Sequence, residues 1–134
     1  METKVIGLEK LLAKFAQIPQ KVQDAARTAN DQNALEFMQG VLSIIPREEG
    51  KLADTLVKEP GKTPTAVRVA IGGPGAPYPA HLEFGHRDGK GHVPAKPFWF
   101  TTLRLGRKRW RGRTSRATSK AIKDNSAGGG NGES

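Results

Sequence analysis

The sequence predicts an α+β domain in which N-terminal helices and a C-terminal basic helix pack on a small antiparallel β-sheet. Three observations point there. Apolar residues recur at helical spacing through the first 45 residues, seven Pro and seven Gly crowd residues 60–97, and a second helical pattern opens after Pro97. At 134 residues the chain is one domain long. Its 28 Leu, Ile, Val and Phe residues suffice for a compact core, though a small one.

From Lys4 to Ile45 the chain reads as helix. Leu8, Leu11, Leu12 and Phe15 sit at i, i+3, i+4, i+7 and define one apolar face, which Pro19 interrupts. A second helix then begins, with Pro19 in its first turn, where the missing N–H is harmless. Its stripe runs through Val22, Ala25, Ala26, Ala29, Ala34, Met38, Val41, Leu42 and Ile45, and Pro46 stops it. The alanines imply close approach to another backbone, within the chain or between subunits.

Lys51 to Lys58 and Thr65 to Ile71 alternate in character and read as two strands of a hairpin, joined at the turn signal Pro60-Gly61. Gly72 to Ala80 (GGPGAPYPA) reads as a loop, His81 to Phe84 as a third strand or one helical turn, and Gly85 to Lys96 as a second loop. Loops this long in a small domain tend to be functional or mobile. Pro97 opens the last helix, expected over Phe98 to Lys123 with a narrow stripe of Trp99, Leu103, Gly106 and Trp110. Beyond Trp110 little apolar remains, so this half is expected to protrude and the glycine-rich end to be flexible. The chain therefore divides into a domain over residues 1–110 and a basic extension with a flexible tail over 111–134.

Composition excludes several classes of function. No apolar run reaches the roughly 18 residues that span a bilayer, and Glu9, Lys10 and Lys14 break the N-terminal stretch, so neither membrane insertion nor a secretory signal is expected. Without cysteine there is no disulfide scaffold, zinc knuckle, thiol nucleophile or iron–sulfur cluster. The serines lack a nucleophile-elbow context, GGPG matches neither phosphate-loop pattern, and Glu48 and Glu49 read as a solvated turn. His81, Glu83, His86 and the nearby His92 could be taken for a metal site. The glycine between Glu83 and His86 turns the second histidine elsewhere, so no cofactor or metal is assigned.

The net charge of +9 is lopsided. Residues 1–95 hold 12 Lys/Arg against 11 Asp/Glu, and residues 96–134 hold 10 against 2. The densest stretch, RLGRKRWRGRTSR, places Arg104, Arg107, Lys108, Arg109, Arg111, Arg113 and Arg116 around Trp110. Such a field suggests something acidic, either nucleic acid or the acidic face of a protein partner, the alternative being a solvated basic helix; arginines around an aromatic are what single-strand binders use. No recognised nucleic-acid-binding fold surrounds it.

Read in order, four elements resemble a known family. A helical region leads to "IIPREEGKL" (Ile44 to Leu52), a Gly/Pro-rich strand region follows, then "PYPAHLEFGH" (Pro77 to His86), and a glycine-rich loop leads to "AKPFWFTTL" (Ala95 to Leu103). This pattern, over about residues 5–110, resembles the head-tail joining family of tailed bacteriophages in the lambdoid siphophage lineage, also described as neck, tail-completion or minor tail component proteins. The family pattern is Pro-x-x-x-Gly-x-Leu after a helix, Tyr-Ala-x-x-x-Glu-Phe-Gly-Thr, and a Pro-Phe that opens the last helix. Here Glu49 stands for the usual Thr or Ser, His86 for the Thr, and Trp99 to Thr102 for Leu-Arg-Pro-Ala.

The resemblance implies a non-enzymatic virion protein, assembled in the host bacterial cytoplasm and forming a homo-oligomeric ring at the head-tail junction. It implies a connector or head-closure protein on one side, a tail terminator or tail-tube protein on the other, and viral genomic DNA in the lumen. Pro46, Gly50, Leu52, Glu83, Phe84, Gly85, Pro97 and Phe98 become the fold or interface motif. Gly50 and Gly85 are expected at turns that need left-handed dihedrals, with Phe84 and Phe98 as apolar anchors beside them. The alternative is a basic nucleic-acid-binding protein unrelated to virion structure.

Overall fold

The computed structural model describes residues 7–46, 50–73 and 79–132. The architecture is α+β: a long helix pair carries two small antiparallel hairpins and three shorter helices. Glu48, Glu49, the start of the first helix at Lys4, and the Pro77–Tyr78 part of the second motif lie outside the described residues.

Helix α1 (Leu8–Ala16) has the expected apolar spacing and ends before Pro19, yet none of its residues is buried. Its end is tied to α2 (Gln20–Ile44) by the Gln23 side chain, whose Nε2 donates to the carbonyls of Phe15 at 2.6 Å and Ile18 at 2.8 Å. Pro19 is the N-cap of α2, one position before the first turn where it was expected. At the far end Ile45 is extended, with φ −65° and ψ 135°. Pro46 requires this, because its ring disfavours a helical residue before it.

The stripe on α2 is largely as expected at Val22, Ala26, Ala29, Ala34 and Val41, but Phe37 replaces Leu42 as the large core residue. Leu42 is exposed. The direction of α5 decides this: it crosses α2 on the side that Phe37 faces, with Phe37 edge-on to Trp99 at 4.7 Å between ring centroids.

Lys51 to Lys58 is not one strand. Gly50–Ala53 is a helical turn, α3, and only Val57–Pro60 forms β1. The Leu52 and Leu56 spacing of four, read as alternation, also fits a turn of helix that drops both side chains into the core, where they are 0% and 9% exposed. β1 pairs with β2 (Val67–Ala70) in the register Val57 to Ala70 through Pro60 to Val67, closed by Gly61 N–H to the Ala66 carbonyl at 2.9 Å. His81 to Phe84 belongs to a helix, α4 (Pro79–Phe84), and the expected loop after it holds a second hairpin, β3 (His86–Asp88) with β4 (Gly91–Val93). Its short polar strands lack the alternation that marks a half-buried strand.

Helix α5 (Trp99–Gly132) runs antiparallel to α2, as the pairs Asn30–Thr114, Asn33–Trp110 and Gly40–Thr102 show. Its inward face is Phe98, Thr102, Gly106 and Trp110, a strict spacing of four; Leu103, expected in the stripe, is 39% exposed. One glycine permits this crossing: a Cβ on Gly40 would lie 2.6 Å from Thr102 Cγ2. Gly106 makes room within α5 itself, where a Cβ would overlap the Trp110 indole one turn on. The helix is unbroken past residue 110, and the half-buried Thr114, Ala117, Thr118 and Ala121 continue the inward face, so the protruding part begins later than expected. The glycine-rich end is helical to Gly132 rather than irregular. Extending an existing helix carries no nucleation penalty, which lets it run on through poor helix formers. The core of Phe37, Val41, Ile45, Leu52, Leu56, Phe98 and Trp110 sits where α2, α3 and the start of α5 converge.

Candidate functional site

Two groups of residues were singled out by sequence, and the structure treats them differently. The first, the motif set, is a hinge between α4 and α5. Glu83 is 6% exposed, and its carboxylate caps α5: Oε2 accepts N–H groups from Phe98 at 2.8 Å and Trp99 at 3.0 Å, and Oε1 accepts that of Phe100 at 3.0 Å. The first N–H groups of a helix have no partner within it, and a negative charge there also opposes the helix dipole. Phe98, 1% exposed, fills the core directly beneath the cap. Gly85 has φ +77°, and a Cβ there would lie 2.8 Å from the Val93 carbonyl oxygen, so both dihedral and space demand glycine. Lys96 N–H to the Leu82 carbonyl at 2.7 Å closes the hinge.

Three motif residues depart from expectation. Gly50 opens a helical turn with nothing within 4 Å of a Cβ, so no left-handed turn requires glycine there. Phe84 is 68% exposed, with the ring of Phe100 at 6.1 Å between centroids. Successive helical residues point about 100° apart, so drawing Glu83 inward turns Phe84 out. Pro97 is exposed and precedes the capped N–H groups instead of lying within the first turn.

The second group, the cations of α5, separates into two classes. Arg109 and Arg113 turn towards α2. They clamp Glu36, with Arg109 Nη2 at 3.0 Å from Oε1 and Arg113 Nη2 at 2.6 Å from Oε2, and Arg113 also donates to Asn33 Oδ1 at 2.9 Å. The hydrogen bond from Arg113 is the main cause of a lowered Glu36 pKa; partial desolvation opposes it, and Trp110 and the two guanidinium charges add to it. Arg104, Arg107, Lys108, Arg111 and Arg116, exposed as Arg109 also is, differ in forming no ion pair among the described residues.

Trp110 is not a free stacking platform. It is 9% exposed, packs on Phe37 at 5.8 Å and donates its indole N–H to Glu36 Oε1 at 3.1 Å. An aromatic among cations suggests base stacking, but here its neighbours at i−4 and i−8 are core residues and it follows them inward.

Glu83 is likewise committed to three backbone donors, which removes the only carboxylate from the His81, Glu83, His86 set. Among the described residues no group of three His, Asp or Glu side chains is arranged to hold a metal ion. The His86 side chain lies outside what is described.

Sequence reasoning missed the polar seam that continues from the clamp through Asn33. Asn33 Nδ2 donates to the Trp110 carbonyl at 2.9 Å and Thr114 Oγ1 at 3.0 Å, Thr114 donates to Asn30 Oδ1 at 2.7 Å, and Asn30 Nδ2 reaches the Thr65 carbonyl at 2.8 Å. Asn30, Asn33 and Glu36 are three apart on α2, and Arg109 and Arg113 are four apart on α5. These spacings become complementary only once the helices are known to pair. Comparison with known protein families, curated proteins and solved structures finds no match to this chain.

Proposed function

We propose that the chain is a non-enzymatic structural protein of a tailed-phage virion, forming a homo-oligomeric ring at the head-tail junction through which DNA passes. The carrying observation is that residues from three separated motifs act as one mechanical unit: Leu52 and Phe98 share the core, Glu83 caps the helix that Phe98 precedes, and Gly85 makes the turn between them. Motifs that fix a shape and leave apolar surface uncovered suit a protein whose work is to bind neighbours. That surface includes Leu11 and Leu12 on an α1 with no buried residue, the Phe84–Phe100 pair, and Leu105 at 82% exposure. Unlike apolar patches at different places on one molecule are what a closed ring of head-to-tail contacts uses.

Virions made without the protein should separate into filled heads and free tails under the electron microscope. Native mass spectrometry of the purified junction should give several copies of the chain per complex. Intact virions lacking the protein, or a single copy per junction, would overturn the reading.

A further inference from the structure

We infer that the outward face of α5 from Arg104 to Ser119 is a docking surface for the phosphate backbone of duplex nucleic acid, engaged without sequence preference. This rests on the charge and pairing of α5 and not on the ring reading. Arg104, Arg107, Lys108 and Arg111 follow i, i+3, i+4, i+7, and Ser115 and Ser119 continue the same face at steps of four. All six are exposed. The face is about 22 Å long at 1.5 Å per residue.

Pairing separates this face from a merely solvated one. Cations that serve the fold are matched: Arg109 and Arg113 hold Glu36. Among the described residues no ion pair reaches the four outward cations, which neighbour one another at the three- and four-residue spacings that make like charges repel on a helix, and the sequence from Arg104 to Lys123 contains no acid to relieve them. A polyanion removes that repulsion.

Composition separates a phosphate backbone from an acidic protein. A protein interface needs an apolar centre, with charges at its rim. Between Arg104 and Ser119 this face offers cations and hydroxyls alone, the donors that contact phosphate oxygens. Leu105 lies about 100° round the helix from Arg104, off the face, and Phe100, one turn before the face, makes a tilted ring contact with Phe84. With Trp110 buried, the segment has no free ring on which unstacked bases could lie, which favours duplex over single strand.

The test is binding of a labelled 20-base-pair DNA duplex to the full chain across a salt series. Four phosphate contacts give a slope of about −3.6 in log affinity against log salt, or roughly a 100-fold loss between 50 and 200 mM. The R104Q/R107Q/K108Q/R111Q variant should flatten the slope by about 3 units or more at a melting temperature no lower than that of the unmodified chain, and Ser115→Glu should weaken binding at least about tenfold. R116Q/K120Q/K123Q, off this face, should change the slope by less. A slope unmoved by the quadruple variant, or moved equally by the off-face one, would overturn the inference. So would tighter binding to polyglutamate or to a single strand of equal length than to the duplex. Duplex binding with intact virions in the absence of the protein would defeat the ring reading alone.

Discussion

Glu83 accepts the backbone N–H of Phe98, fifteen positions further along the chain, at 2.8 Å, so the cap of the longest helix is supplied by one of the shortest. A six-residue helix is too short to persist alone, and α5 begins without a cap of its own sequence. Each is held by the other. Glu83→Ala should therefore cost about 2 to 3 kcal/mol, more than an ordinary N-cap, because three donors lose a charged acceptor together. Glu83→Gln, which keeps one acceptor oxygen, should fall between. Urea denaturation measures both, and a loss under roughly 0.5 kcal/mol in the alanine variant would contradict the cap.

The two motif phenylalanines should separate cleanly. Phe98→Ala empties a site 1% exposed and should cost about 3 to 5 kcal/mol. Phe84→Ala removes a ring that is 68% exposed and should stay within about 0.5 kcal/mol, unless it is measured in an assembled complex that covers it. Equal losses in the isolated chain would mean that Phe84 is buried after all.

The motif glycines should separate likewise. Gly85→Val places a β-branched side chain at φ +77° against the Val93 carbonyl and should unfold the hinge or lower the melting temperature sharply. Gly50→Ala meets open space on helical backbone and should be neutral or stabilising by up to about 1 kcal/mol. Thermal melts of the two variants decide the point.

What the sequence made legible follows from the range of the forces involved. The ends of α1 and α2 were readable because proline acts on its immediate neighbours: Pro19 and Pro46 mark boundaries whatever the rest of the chain does. The inward face of α5 was half readable. Spacing marks Trp110 and Gly106 but favours Leu103 over Thr102, since apolar periodicity cannot show that Thr102 satisfies its hydroxyl on the Phe98 carbonyl at 2.6 Å and so enters the core at little cost. Glu36 was not readable, because nothing local to residue 36 says which cations of α5 it will meet. The β3–β4 hairpin escaped for a related reason: strands of three residues leave no period to detect.

The Glu36 clamp gives the chain a defined acid sensitivity. In the folded state the Arg113 hydrogen bond lowers the Glu36 pKa below the ordinary glutamate value of 4.5, while in the unfolded state the group returns to it. The folded form therefore keeps its carboxylate charged at a pH where the unfolded form binds a proton. The stabilisation is complete above the unfolded pKa and is lost as pH falls through the folded one. Glu36→Gln removes this contribution and leaves Arg109, Arg113 and the Trp110 indole facing an amide. Its melting temperature should thus lie below that of the unmodified chain by a constant interval at neutral pH, and the interval should narrow once the pH drops below about 4.5. Every other carboxylate titrates equally in both proteins, so the difference isolates residue 36. In an Arg113→Gln background the interval should be smaller and its narrowing should be complete at a higher pH, because the largest cause of the depression is gone and the folded pKa moves up towards the unfolded one, which still fixes the onset. An interval that widens in acid would reverse the sign of the linkage and refute the clamp.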